Sequence, residues 1–244
     1  MTTTARPEPR RRSGHRVWVP RQHGAWAMLL LPVLLGVAAS RSDAWQLAVA
    51  GAALSGYLLS AALQAWSRAR RPPAYRLPIA VYGIAFAGLG LLLVAAFPAL
   101  LATLVVVVPT SLIVYRGAQP GTRRDLANSL AQVAQALVLV PAAAYVSGDF
   151  ELARVIPCTL VAAGYLVGTV LVVRSVLRER GNEAFAALSA GFHVVLVGLA
   201  ALGLPPAYAI LALGLAARAA ALPVIQRRRA GGPKPLRPVQ VGIV

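Results

Sequence analysis

Apolar residues run in blocks along this chain, separated by short polar stretches. Eight blocks stand out, at 24–40, 44–66, 77–97, 98–115, 126–147, 152–173, 184–204 and 205–225. A bilayer core of ~30 Å takes about 20 apolar residues wound as a helix. The blocks are close to that length. The pattern therefore predicts an all-α fold: a polytopic transmembrane bundle of about eight helices within 17–226. A disordered basic tail is expected at 1–16, with Pro7 and Pro9, and a Gly/Pro/basic tail at 227–244.

The polar stretches alternate in charge. Arginines crowd the region before the first block, the connections 67–76, 116–124 and 174–183, and the final tail. One side of the predicted bundle collects 21 Lys and Arg. The other holds only Arg41 and Arg154, beside Asp43, Asp149 and Glu151; Arg218 falls inside the eighth block. Basic residues are retained on the cytoplasmic side. The alternation predicts a multi-pass protein of the bacterial cytoplasmic (inner) membrane, with both termini in the cytoplasm. It also checks the number of spans, because one miscounted early block would scramble it. Arginines, an apolar stretch and Val37-Ala-Ala-Ser40 resemble a signal peptide, as Arg10-Arg-Arg-Ser resembles a twin-arginine signal. The charge pattern reads the first block as a retained helix instead.

Composition agrees. Hydrophobic residues make up 58% of the 244 and charged residues 13%, with a mean hydropathy of +0.69. A soluble chain carries about a quarter charged residues. The net charge of +17 would suggest nucleic acid in a soluble protein; here topology accounts for it, and no nucleic-acid partner is expected. The single Cys158 can form no internal disulfide and reads as packing.

Polar residues at membrane depth usually face the bundle interior. Asp125, Asn128, Gln132 and Gln135 follow i, i+3, i+7, i+10, so they share one face of the fifth span. Two uses are open: interhelical hydrogen bonds, or one wall of a polar cavity that leads into Arg123 and Arg124. His193 sits mid-way along the seventh span, where it either packs or carries chemistry. Arg218 either snorkels or faces inward to hold an anion. Gln64 lies near the basic end of the second span and could join either. At the approach to the first span, Gln22, His23 and Gly24 precede Trp26. Interfacial anchoring needs only the tryptophan, so Gln22, His23 and Trp26 are candidate ligand-binding residues.

The run Pro20-Arg-Gln-His-Gly-Ala-Trp-Ala-Met28 resembles the signature of the bacterial YwiC-like membrane protein family. The resemblance continues through Arg123-Arg-Asp-Leu-Ala-Asn128, Arg178-Glu-Arg-Gly-Asn182 and the closing Lys234-Pro…Val-Gly-Ile243. It implies a multi-pass topology and no particular reaction. A fainter resemblance is to the UbiA-type prenyltransferases, all-helical membrane enzymes with aspartate-rich cytoplasmic loops after the second and sixth helices. Those loops hold a prenyl diphosphate through magnesium. This chain has cytoplasmic loops at the same two places, and Arg123-Arg…Asn128 followed by Pro141 is similar. The resemblance implies two four-helix halves of equal orientation. The first loop, however, has no acid, the second only Glu179 and Glu183, and no Asp-x-x-x-Asp occurs. Magnesium needs oxygen ligands, usually carboxylates, so the metal mechanism does not carry over and no cofactor or metal is expected.

What remains is a cytoplasmic mouth with Arg70, Arg71, Arg123, Arg124, Arg174, Arg178 and Arg180, and Asn182 beside them. Arginine binds phosphate directly and bidentately. The leading expectation is a cavity that binds an anionic or isoprenoid lipid, whether as an enzyme or as a non-catalytic relative. A small-molecule transporter would need a pathway open alternately to both sides, with broken helices at mid-membrane. An assembly factor of a membrane complex would need no cavity. No nucleophile–base–acid set can be read from the spacing, and neither ligand nor oligomeric state follows.

Overall fold

A computed structural model describes residues 18–19, 23–69, 72–119, 125–203 and 206–230. The described residues form nine α-helices and no strand: α1 His23–Ala38, α2 Trp45–Arg68, α3 Arg76–Ala96, α4 Leu104–Arg116, α5 Leu126–Leu137, α6 Leu139–Tyr145, α7 Leu152–Leu177, α8 Glu183–Gly203 and α9 Pro206–Ala230. Short 3-10 turns at Pro73–Tyr75 and Pro98–Thr103 lead into α3 and α4. Among the described residues, six stretches are long and apolar enough to cross a membrane: Trp45–Arg68, Pro73–Ala96, Pro98–Arg116, Leu126–Tyr145, Leu152–Leu177 and Glu183–Leu202. The apolar parts of the first and last helices, Trp26–Ala38 and Ala212–Leu222, are shorter. The protein is a polytopic helical membrane bundle.

Helix ends differ from the apolar blocks for local reasons. The sixth span continues four residues past 173, to Leu177. Arg174 fits there because a cation in a last turn faces the negative end of the helix dipole. The last helix runs through Arg227–Arg229 to Ala230, inside the expected tail, since arginine is a good helix former. The fifth span is interrupted at Val138, giving α5 and α6. Pro141 explains this: it has no N–H for the carbonyl of Leu137. The Val138 N–H reaches the Ala134 oxygen only at 3.4 Å. The interruption is a proline kink.

α1 crosses α6 at the centre. A Cβ on Gly36 would stand 2.5 Å from the Val140 oxygen and 2.7 Å from Ala143 Cβ, so only glycine permits this approach. Small residues commonly let membrane helices meet this closely. Around that pair, α1 packs on α2 and α7, and α6 on α7 and α2. Outside them, α3 lies along α2 and α8 along α7. The two halves of the chain thus repeat their neighbours. The last helix of each half differs: α4 packs on α5, whereas α9 packs on α8 and α7. Gly164 and Gly168 make the α7–α8 crossing, the first against Leu196 and the second against His193.

At the arginine-poor end, Asp43 and Gln46 start α2 with a reciprocal cap. The Trp45 N–H donates to Asp43 Oδ1 at 2.8 Å, and the Asp43 N–H donates to Gln46 Oε1 at 3.0 Å. Gln46 is 4% exposed, and its Nε2 reaches the Arg41 oxygen at 2.9 Å and the Ala143 oxygen at 3.2 Å. One buried carboxamide therefore ties the start of α2 to α6. Nearby, Arg154 donates to Asp149 at 2.9 Å and Glu151 at 2.7 Å.

Candidate functional site

The polar face of the fifth span is built around Asn128. Asp125 caps α5, accepting the Asn128 N–H at 2.8 Å. The Asn128 side chain is 2% exposed, and Nδ2 donates to the Ile113 and Val114 oxygens at 3.3 Å each. Those carbonyls lie in the last turn of α4, where the Gly117 N–H also reaches the Ile113 oxygen, at 3.0 Å. Gln132 donates to Asn128 Oδ1 at 2.9 Å, and Gln135 to Ser111 Oγ at 2.8 Å. Gly117 leaves room for this carboxamide, because a Cβ there would run into Asn128 Nδ2. Of the two uses open to the stripe, the geometry carries interhelical bonding: it joins α5 to α4. Gln22, Arg123 and Arg124 lie outside the described residues, and His23 is described only by its backbone at the start of α1.

Trp26 is on α1 and meets Tyr57 of α2 with ring centroids 6.2 Å apart. It closes one end of a groove of ≈ 670 Å³ between these helices. Leu29, Val33 and Val37 line one wall, Leu47, Ala50 and Leu54 the other, and Asp43 the far end. Hydrocarbon fits this lining; phosphate does not. Gln64 donates to Ser60 Oγ at 3.2 Å, one turn back on α2. His193 is 2% exposed, with Nδ1 2.7 Å from the Ser189 oxygen and its ring against Gly168. Arg218 is half-buried on α9.

Charge gathers at the arginine-rich end, where α2 and α7 finish. Arg174 and Arg178 are one turn apart, so they share a face of α7. Arg174 is mostly buried, its side chain 12% exposed. It donates from Nη2 to Glu179 Oε1 at 3.0 Å, and its guanidinium carbon lies 5.9 Å from the centre of the Phe185 ring. The Arg178 guanidinium is held below its ordinary pKa by partial burial first, then by the charges of Arg174 and Arg68. Arg68 is the last residue of α2. Arg180 donates from Nε to the Val176 oxygen at 3.1 Å.

The connection between α7 and α8 explains the Arg-Glu-Arg-Gly-Asn run. Gly181 takes φ +80°, a conformation open to glycine. Asn182 then caps α8, accepting the Phe185 N–H at 3.1 Å. The turn holds Glu179 against Arg174 and Phe185 beneath it.

The profile described as YwiC-like protein matches residues 19–145, just over half of the sequence. The chain belongs to the YwiC-like family. A curated relative, "Uncharacterized protein YwiC" of Bacillus subtilis (strain 168), is 31% identical over 195 residues. That alignment covers 75% of this YwiC-like chain and 77% of the relative. No solved structure matches. The matched profile takes in α1 to α6, including the Asp125–Asn128 cap, and ends before the arginines of α7.

Sequence reasoning missed three members of these sites. Arg68 counted only as a topological charge, although a final-turn arginine on the span before a candidate loop was a signal available to it. Phe185 was hidden among apolar neighbours. Gln46 is an isolated carboxamide with no pattern to mark it.

Proposed function

We propose that this protein holds an anionic, phosphate-bearing lipid or isoprenoid at its arginine-rich end, through guanidinium groups rather than a metal ion. The observation that carries this reading is the arginine-rich end itself, where the mostly buried Arg174 stands one turn from Arg178 at the end of α7 and Arg68 closes α2. Arginine's planar fork suits phosphate oxygens. The apolar spans supply the hydrocarbon surroundings that a lipid tail needs. The repeated packing of the two halves supports the four-plus-four arrangement of the UbiA-type enzymes, whose ligand loops follow the second and sixth spans, as Arg68 and Arg178 do here.

The same reading places the protein in the bacterial inner membrane with both termini and the arginine cluster in the cytoplasm. The split of 21 basic residues against 2 supports that orientation.

Native mass spectrometry of the full chain from detergent, with identification of retained lipid, tests the proposal. A retained anionic lipid that is lost in both Arg68→Gln and Arg178→Gln supports it. Folded protein that retains none, or retains it equally in both variants, overturns it.

A further inference from the structure

We infer that the groove between α1 and α2 is a separate lipid site, at the arginine-poor end, and that it takes one acyl chain of a lipid whose headgroup ends in a primary ammonium. This is independent of the arginine-end reading.

The groove has the depth of one leaflet. It follows α1 from Val37 to Trp26, about 16 Å at 1.5 Å per residue. Half of a ~30 Å hydrocarbon core is about 15 Å. Its inner end closes where Trp26 meets Tyr57, which stands halfway along the 24-residue α2. Its outer end is at Ser42 and Asp43, just before α2 starts. Trp45 and Tyr145 lie at this level, joined through Phe97 with ring centroids 5.3 and 6.1 Å apart. Trp and Tyr gather at the headgroup region, so the groove runs from headgroups to mid-bilayer. Its volume of ≈ 670 Å³ lies within the range of about 300–1,000 Å³ usual for ligand sites. Leu29 and Val33 form a buried floor, whereas Leu34 and Leu47 stand exposed on the rim. The groove is therefore open sideways to the bilayer, and a chain enters it without leaving hydrocarbon.

The headgroup end is acidic. Of the carboxylates at this end, Asp149 and Glu151 are both paired with Arg154. Asp43 accepts the Trp45 N–H on Oδ1 and forms no ion pair among the described residues, although Arg41 is two residues away. An ionised carboxylate only accepts, and it has about four lone-pair sites, of which one is used here. A primary ammonium matches it, with a positive charge and three N–H donors. A trimethylammonium has the charge but no donor, and a glycerol headgroup has no positive charge. The phosphate of such a lipid stays outside the groove, among the headgroups.

Native mass spectrometry of the full chain tests this with phosphatidylethanolamine, phosphatidylcholine and phosphatidylglycerol of identical acyl chains. The wild type should retain about threefold more phosphatidylethanolamine than phosphatidylcholine, the size of effect that an exposed ion pair gives. Asp43→Asn keeps an oxygen for the Trp45 N–H but loses the charge, and should cancel that preference. Ala50→Trp fills the groove from the α2 wall and should lower phosphatidylethanolamine retention about threefold without moving the unfolding midpoint. Phosphatidylglycerol retention should be unchanged in both variants, and phosphatidylethanolamine retention unchanged in Arg178→Gln, which separates this site from the arginine end. No preference in the wild type, or one that persists in Asp43→Asn, would overturn the inference; this arm decides even where Ala50→Trp fails to fold. Undiminished retention in folded Ala50→Trp, or a parallel fall of phosphatidylethanolamine and phosphatidylglycerol in Asp43→Asn, would overturn it as well. An anionic lipid lost only in the arginine variants would then leave the arginine site standing alone.

Discussion

Asn128 donates from Nδ2 to the carbonyl oxygen of Ile113 at 3.3 Å, reaching from the first turn of α5 to the last turn of α4. The same amide reaches Val114. Asn128→Ala removes a donor from both carbonyls; the Ile113 oxygen keeps the Gly117 N–H, so the loss falls mainly on Val114. The expected loss is about 1–2 kcal/mol of stability, read as a lower midpoint of thermal unfolding in detergent. An unchanged midpoint would mean that this contact does not hold α4 in place.

The α7–α8 crossing depends on an absent side chain. A Cβ on Gly168 would lie 2.8 Å from His193 Nε2. Gly168→Ala is therefore expected to cost about 1–3 kcal/mol by overpacking. Combined with His193→Ala, it should cost less than the sum of the two single changes, because the clash partner has gone. Strict additivity in the double-mutant cycle would refute the contact.

Gln46 and Asp43 form one cap but differ in burial. Asp43→Ala loses an exposed capping carboxylate, at about 1 kcal/mol. Gln46→Leu also strips the donor from the buried Ala143 oxygen, at about 1–3 kcal/mol. Unfolding measurements on the two variants should rank Gln46→Leu as the more damaging. The reverse order would show that the link to α6 contributes little.

The arginine cluster is predicted to destabilise the ligand-free protein. Arg178's folded pKa lies below its ordinary value. For a base, this means that its charge disfavours the folded state at every pH below that pKa. A guanidinium stays charged throughout the neutral range, so the penalty is constant from about pH 5 to 9 rather than appearing in a pH window. Arg178→Gln should thus raise the unfolding midpoint of delipidated protein. The gain is expected to be tenths of a kcal/mol, since the side chain is exposed and solvent screens it. Added salt should reproduce part of the gain in the wild type and little in the variant. A variant less stable than wild type at low salt would contradict this.

Several local features were legible in the sequence because their causes are local. The apolar blocks beginning at 126 and 152 start where α5 and α7 start, at Leu126 and Leu152. The stripe of Asp125, Asn128, Gln132 and Gln135 was legible as one helical face, but its use was not. Whether a carboxamide lines a cavity or bonds to a neighbour depends on which helix lies opposite, and i, i+3, i+7 spacing says nothing of that. Gln46 illustrates the same limit from the other side. Its partner Ala143 lies 97 residues away.

By itself, then, the sequence determined that this protein is a bundle of membrane helices, because apolar run length and charge alternation are properties of single segments in a bilayer. Tertiary structure alone decided that α4 closes onto α5 through Asn128, that α1 meets α6 at Gly36, and that Glu179 and Phe185 hold Arg174. The physical reason is one of range. Hydrophobic transfer and backbone hydrogen bonding act within a span and leave their mark on its composition. Contacts between spans are set by side-chain shape and partner geometry, and become visible only once the helices have been laid side by side.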